Sequence, residues 1–190
     1  MSIIIDIIGS FIIGSMLLLM MITFQYQMQE SADRAMYIKE MIDHMDQAAV
    51  KLNSVIALAG VGFMPANTVI HATADSLVFW TYWNYQLDEL GMVPYTISVK
   101  RSPMPSPYGY AAVIRQDGVP LNDLGYLFWI DGISFRYFDR NDALTTTAAN
   151  VRSAEVRLSF FRNAPRQGSK VIRNRLQVKC FFMNAYMRGA

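Results

Sequence analysis

No proline precedes Pro65, and no glycine lies between Gly14 and Gly60. These two residue types end helices most readily, so a chain that withholds both over such a distance is free to build one very long helix. Its beginning restricts the outcome further. From Ile3 to Phe24 the only charged side chain is Asp6. As a helix those residues would measure about 33 Å, close to the roughly 30 Å hydrocarbon core of a bilayer. The segment is therefore expected to be able to span a membrane. It does not have the form of a secretory signal peptide: no basic residue precedes Arg34, and Thr23 to Gln27 makes a poor cleavage site. The first charges beyond it are Glu30, Asp33 and Arg34, which give the positive-inside rule little to act on.

After Tyr26 the pattern becomes amphipathic. Met28, Ala32, Ala35, Met36, Ile42, Met45, Ala49, Leu52, Ile56 and Ala59 recur at helical spacing, and Glu30, Asp33, Arg34, Lys39, Glu40, Asp43, Asp46 and Lys51 occupy the rest. The spacing predicts one continuous helix over about residues 3–59, ended by Gly60-Val61-Gly62. Such a helix is far longer than the rest of the chain is wide, so its front half must protrude.

From residue 66 the texture changes to strands. Ser76–Trp83, Tyr95–Lys100, Ile133–Phe138, Val156–Phe160 and Arg175–Phe181 are rich in β-branched and aromatic residues or alternate apolar with polar. Pro103–Gly109, Asp117–Pro120 and Asn163–Gly168 carry turn chemistry. One helix followed by a run of strands predicts an α+β fold. Its antiparallel sheet would be covered by the stripe of the second helical half. The expected organisation is a membrane or filament-core half-helix over 1–27, an amphipathic half-helix over 28–60, and a sheet domain over 61–190.

The composition is 53% apolar and 17% charged, and the excess apolar content lies at the N-terminus. A net charge of +2 gives no reason to expect nucleic acid. Cys180 is the only cysteine, so no internal disulfide can form. His44 is expected on the charged side of the helix and His71 in a loop. No metal-spaced cluster, Ser-His-Asp arrangement or glycine-rich phosphate loop occurs, so neither catalysis nor a cofactor is expected.

An uncharged apolar helix with one acid near its start, running into an amphipathic stripe and then a sheet domain, resembles a type IV pilin or a type II secretion pseudopilin. That family carries an acid at the fifth residue of the mature chain, and Asp6 would be fifth if Met1 were removed before the small Ser2. The body is similar to the larger minor pilins and the J-type pseudopilins. The resemblance lies in the glycine turn at 60–62, Ala72–Phe79, Ile133–Asp139, Val151–Leu158, and a last strand after a basic hairpin. Asp stands where the family usually has Glu, Phe is not the first mature residue, and no basic leader ending in Gly is included. The resemblance therefore implies either a processed chain or a branch without cleavage. The proline common near the end of the membrane span is also missing, and Gly14 is the expected point of local unwinding in its place.

The resemblance implies a helical polymer of this chain, with or without other pilin-like subunits. The chain would be held in the inner membrane before assembly, lifted out by an assembly platform and ATPase, and end as a cell-surface filament. Within the segment, Asp6 has two readings. It sits idle at headgroup level, or it pairs with the terminal amine of a neighbouring subunit and sets their register, since a lone carboxylate among apolar helices is costly. The second reading makes Asp6, with Ile3, Ile4, Ile7, Gly9, Phe11, Gly14 and Leu18, the expected subunit contact. The small Gly9-Ser10 and Gly14-Ser15 pairs permit close approach. The alternative function is a single-pass membrane-anchored module that binds a glycan through Trp80, Trp83 and Tyr85, or phosphate or an anionic surface through the basic stretch Arg162, Arg166, Lys170, Arg173 and Arg175, of which Arg166 and Lys170 are the expected contacts. The bland readings of those residues are aromatic cross-strand pairs and a solvated hairpin loop.

Overall fold

In the computed structural model, which describes residues 2–62, 68–107, 109–121, 128–163 and 171–184, the chain is α+β. It has one long N-terminal apolar helix and two antiparallel sheets. Helix α1 (Ser2–Ala57) is 56 residues long, about 84 Å, and passes through Gly14 without a break. Its C-terminal part enters the core on one face: Met41, Ala48, Leu52, Val55, Ile56 and Ala59 are all buried.

The phase of that face differs from the expected stripe. Leu52, Ile56 and Ala59 are common to both, but Met28, Met36 and Ile42 are 59%, 49% and 46% exposed. Met41 and Ala48 take the inner positions in place of Ile42 and Ala49. The physical reason is that the helix carries apolar residues on two faces. Small Ala48 gives a weak apolar signal, yet it is fully buried in the core.

The end of α1 is gripped by the first of the two sheets and by the segment that ends the described chain. The last carbonyls of a helix have no partner within it and need one from elsewhere. The Tyr85 hydroxyl donates to the Val55 carbonyl at 2.7 Å, the Thr81 hydroxyl to Leu58 at 2.8 Å, and the Asn184 amide to Ala59 at 3.3 Å. Gly60 then turns the chain at φ 72°, and its N–H donates to the Trp80 carbonyl at 2.9 Å. Gly62, at φ 92°, lies under the Tyr82 ring, where a Cβ would sit 2.7 Å from ring atoms.

The larger sheet has six strands. β1 (Val69–Ala72), β2 (Ser76–Asn84), β3 (Glu89–Ser106), β4 (Gly109–Gln116) and β5 (Val119–Pro120) follow one another, and β6 (Phe128–Ile130) also pairs with β4. The smaller sheet is β7 (Gly132–Phe138), β8 (Ser153–Asn163) and β9 (Val171–Phe181). A single sheet was the expectation. The chain changes sheet at Asp131, whose N–H donates to the Ser159 carbonyl of β8 at 2.7 Å. The sheets are also tied at the β1–β2 turn. There the Phe135 N–H reaches the Ala74 carbonyl at 2.8 Å, and the Tyr137 hydroxyl lies 2.8 and 2.7 Å from the Thr73 and Ser76 carbonyls. Burial, with Asp75 nearby, holds the Tyr137 phenol protonated well above its usual range.

Two local expectations also change. Pro103 and Pro105 lie inside β3 and not in a loop, because the β3–β4 ladder breaks register between Arg101 and Pro105 and so spares the missing donors. His71 belongs to β1. Of the basic hairpin, residues 164–170 lie outside the described residues.

Apolar side chains from α1, both sheets and the segment after β9 meet in one core that includes Leu52, Ile56, Leu77, Phe79, Leu158 and Phe182. Cys180 is buried there, and desolvation pushes its thiol up to about 11. The folded state thus favours the neutral thiol. Its contribution to stability is complete below the unfolded pKa of 9.0 and is lost as pH rises through about 11. At pH 8 alkylation of Cys180 is expected to be at least a hundredfold slower in the native chain than in denaturant, as read by iodoacetamide labelling and intact mass.

Candidate assembly surface

The sequence places isoleucine, leucine, methionine and phenylalanine around the whole circumference of the front of α1, so no face of it is polar. In the folded chain nothing covers it. Every residue from Ile3 to Gln29 is exposed except the half-buried Gly9. Ile3, Ile4, Ile7, Phe11 and Leu18 are between 61% and 78% exposed, a degree that isolated apolar residues show but a run of this length does not.

The polar atoms within this stretch are handled locally. The Ser15 hydroxyl donates to the Ile12 carbonyl and that of Thr23 to the Leu19 carbonyl, both at 2.8 Å. Such back-bonding leaves these hydroxyl protons satisfied in a medium without water. A Cβ built on Gly9 or Gly14 would meet nothing within 4 Å. No contact inside the chain therefore requires glycine at either position. Asp6 is exposed and makes no hydrogen bond or ion pair with any described residue. Among the described residues this is the one helix long and apolar enough to cross a membrane. By length and composition it suits membrane anchoring.

The surface suits two environments. Lipid tails and a bundle of like helices are equally apolar, and both accept it. Water does not, at about 1.5–3 kcal/mol for each large apolar side chain left wet.

Of the residues expected to bind a glycan, Trp80, Trp83 and Tyr85 do not share one exposed surface. The ladder of β2 shifts between Thr81 and Trp83, which changes the phase of alternation. Trp80 lies half-buried on the outer side of β2, opposite Thr96, while Trp83 packs against the core beside Leu90. Tyr85 is 4% exposed, with its hydroxyl on the helix end. It therefore cannot contribute to a surface platform, which corrects that expectation. Arg166 and Lys170 lie outside the described residues. His44 faces the core side of α1, with Nε2 3.1 Å from the Trp129 carbonyl and its ring edge-on to Phe160 at 5.7 Å, and not the charged side. Among the described residues no three His, Cys, Asp or Glu side chains could hold a metal ion.

Arg173 and Arg175 belong to the basic stretch read from the sequence, but its extension to Arg136, Arg157 and Lys179 on the outward face of the small sheet was not anticipated. Strand pairing places Arg136, Glu155 and Lys179 in one row and Arg157 in the next, with Arg173 and Arg175 further along β9. The signal was present in the odd-numbered bases of β9, but it acquires meaning only once the register to β8 and β7 is known. No family model, curated protein or solved structure matches the chain.

Proposed function

We propose that this chain is a structural subunit of a type IV pilus-like or pseudopilus filament, polymerising through the front half of α1. The fold class is the one that the resemblance to pilins and J-type pseudopilins calls for. The observation that carries the reading is the continuity of one helix from a wholly exposed apolar segment into a core that grips its far end. A membrane anchor needs only hydrophobicity and is commonly followed by a pliable linker. Here no hinge separates the two parts, so the sheet domain is held at a fixed distance and orientation from the segment.

On this reading the chain waits in the inner membrane with residues 3–24 in lipid. An assembly platform and ATPase lift it into a bundle of like helices, in a homopolymer or beside other pilin-like subunits, with the sheet domains outside. The exchange of lipid for helix is nearly neutral in hydrophobic terms. Once the bundle is surrounded by water, dissociation would expose the segment at about 1.5–3 kcal/mol per large side chain, so the polymer is hard to reverse. The pairing of Asp6 with a neighbour's terminal amine sets the stagger between subunits.

Filaments sheared from cells that express the chain are expected to contain it as an intact band, identified by mass spectrometry and labelled along or at the end of fibres in electron micrographs. Recovery of the chain only from the membrane fraction, with none in any sheared fibre, would overturn the proposal.

A further inference from the structure

The three-stranded sheet turns its inner face to α1 and leaves its other face to solvent. Alternation along the strands brings unusual chemistry to that outer face. Gly132 on β7 stands opposite Ser159 on β8, which stands opposite Arg175 on β9. In the next row Ser134, Arg157 and Gln177 are opposed. Gly132, Ser134 and Ser159 are small and form the floor of a cavity of about 840 Å³, with Arg157, Arg173 and Arg175 among its walls.

Two nearby bases already have acids. Arg157 Nε donates to Glu155 at 2.7 Å, and Lys179 pairs with Asp142. Arg136, Arg173 and Arg175 are exposed and have no acceptor among the described residues. Of these, Arg173 and Arg175 line the cavity; with Arg157 they outnumber the one acid of its lining, Asp131, and present planar forks of donors to a carboxylate.

A surface of opposite charge and shape lies on the other sheet. The β2–β3 turn carries Asp88 and Glu89, both exposed, and no Lys or Arg occurs from Asn84 to Val99. Around the acids, Leu87, Leu90, Met92 and Val93 are 66%, 60%, 99% and 59% exposed. An apolar tip of this kind is normally mobile, but here it is held from beneath by a polar network. Asn84 Oδ1 accepts the Gln86 N–H at 3.0 Å and the Gln116 amide at 3.0 Å, and Gln116 Oε1 accepts the Tyr85 N–H at 2.9 Å. Tyr85 is itself bonded to the helix end. The absence of a side chain at Gly91 lets the Tyr95 ring lie across the hairpin, within 3.2 Å of the Asn84 amide. Buried polar side chains thus fix the position of an exposed tip, and such pre-organisation lowers the entropic cost of docking.

We infer that the Asp88–Glu89 hairpin tip of one copy docks into the arginine-walled cavity of the next. The inference rests on the filament reading and specifies a contact within it. The two patches are different surfaces of the chain, so when each copy gives its tip to one neighbour and its cavity to another the contact is heterologous, and it extends an open helix where the rotation does not close a ring.

The test uses the full chain in its filament. Arg173→Glu with Arg175→Glu, and separately Asp88→Lys with Glu89→Lys, are expected to lower filament yield at least tenfold, and all four changes in one chain to restore it to within about threefold. Normal yield from either pair of reversals overturns the inference while leaving the filament reading intact; absence of filaments from the unaltered chain overturns the filament reading itself. Should the reversals disturb folding, Glu89→Cys with Arg175→Cys in a Cys180→Ala chain gives an independent readout. Oxidised filaments should then yield a ladder of disulfide-linked multimers, and filaments without such a ladder, or a loss of yield that the fourfold change does not restore, count against the contact.

Discussion

Asp6→Ala is expected to leave folding and membrane insertion intact and to abolish filament growth. The folded chain gives this side chain nothing to do, since Asp6 is exposed and bonded to no described residue. Its removal should therefore not move the unfolding transition of the sheet domain. Insertion should become easier, because a charge within the apolar span opposes it by up to about 2.5–3.5 kcal/mol. Assembly is where the loss falls. In a bundle of apolar helices the neighbour's amine would lose its counter-ion, and breaking a buried pair costs about 3–5 kcal/mol. At about 1.4 kcal/mol per factor of ten, the subunit concentration needed for growth rises by about two to four orders of magnitude. Asp6→Glu keeps the charge and should retain measurable growth. Filament counts by electron microscopy, beside membrane-fraction immunoblots, check both halves. Filaments of normal number from Asp6→Ala would exclude a role in assembly.

Phe79→Ala is expected to have the largest effect on the fold. Phe79 is fully buried on the inner side of β2, with its ring centroid 6.4 Å from that of Phe182, which follows β9. It thus joins the two sheets behind the helix end. Truncating such a ring removes transfer energy and leaves a void, for about 3–5 kcal/mol. That is a large part of the roughly 5–15 kcal/mol that holds a domain together. Denaturation of the full chain in detergent, followed by tryptophan fluorescence, should show a much lower midpoint. Met92→Ala, by contrast, is 99% exposed in the wild type and should change stability by less than about 0.5 kcal/mol.

What could be read from the residues alone depended on how local the governing physics is. The helix was legible because its signals are local: no breaker inside it, glycines at its end, and an apolar run with a lone acid. Strands β2, β7, β8 and β9 were legible from aromatic and β-branched content or alternation. β4 was not, because Ala111 and Ala112 carry little strand signal and the chain there is stabilised by neighbours on both sides. The length of β3 was hidden by Pro103 and Pro105, which usually mark loops. Which face of α1 is buried could not be decided locally, since Ile42 and Val50 make the solvent side nearly as apolar as the inner one. For the candidate surfaces, the exposed front of α1 was apparent from composition. The burial of Tyr85 was not, because it follows a shift of three residues in the β2–β3 register, from Thr81 opposite Tyr95 to Trp83 opposite Leu90. The arginine-walled cavity was equally hidden, because it is formed by register across three strands.

The carbonyls at the end of α1 are captured by Thr81 and Tyr85 from one sheet and by Asn184 beyond the other. A tug on the rod is consequently shared and does not fall on a single seam. Pulling on the rod therefore loads the first sheet and the chain's last described segment together. Tension on the tail is in this way divided among three bonds before it reaches any one strand.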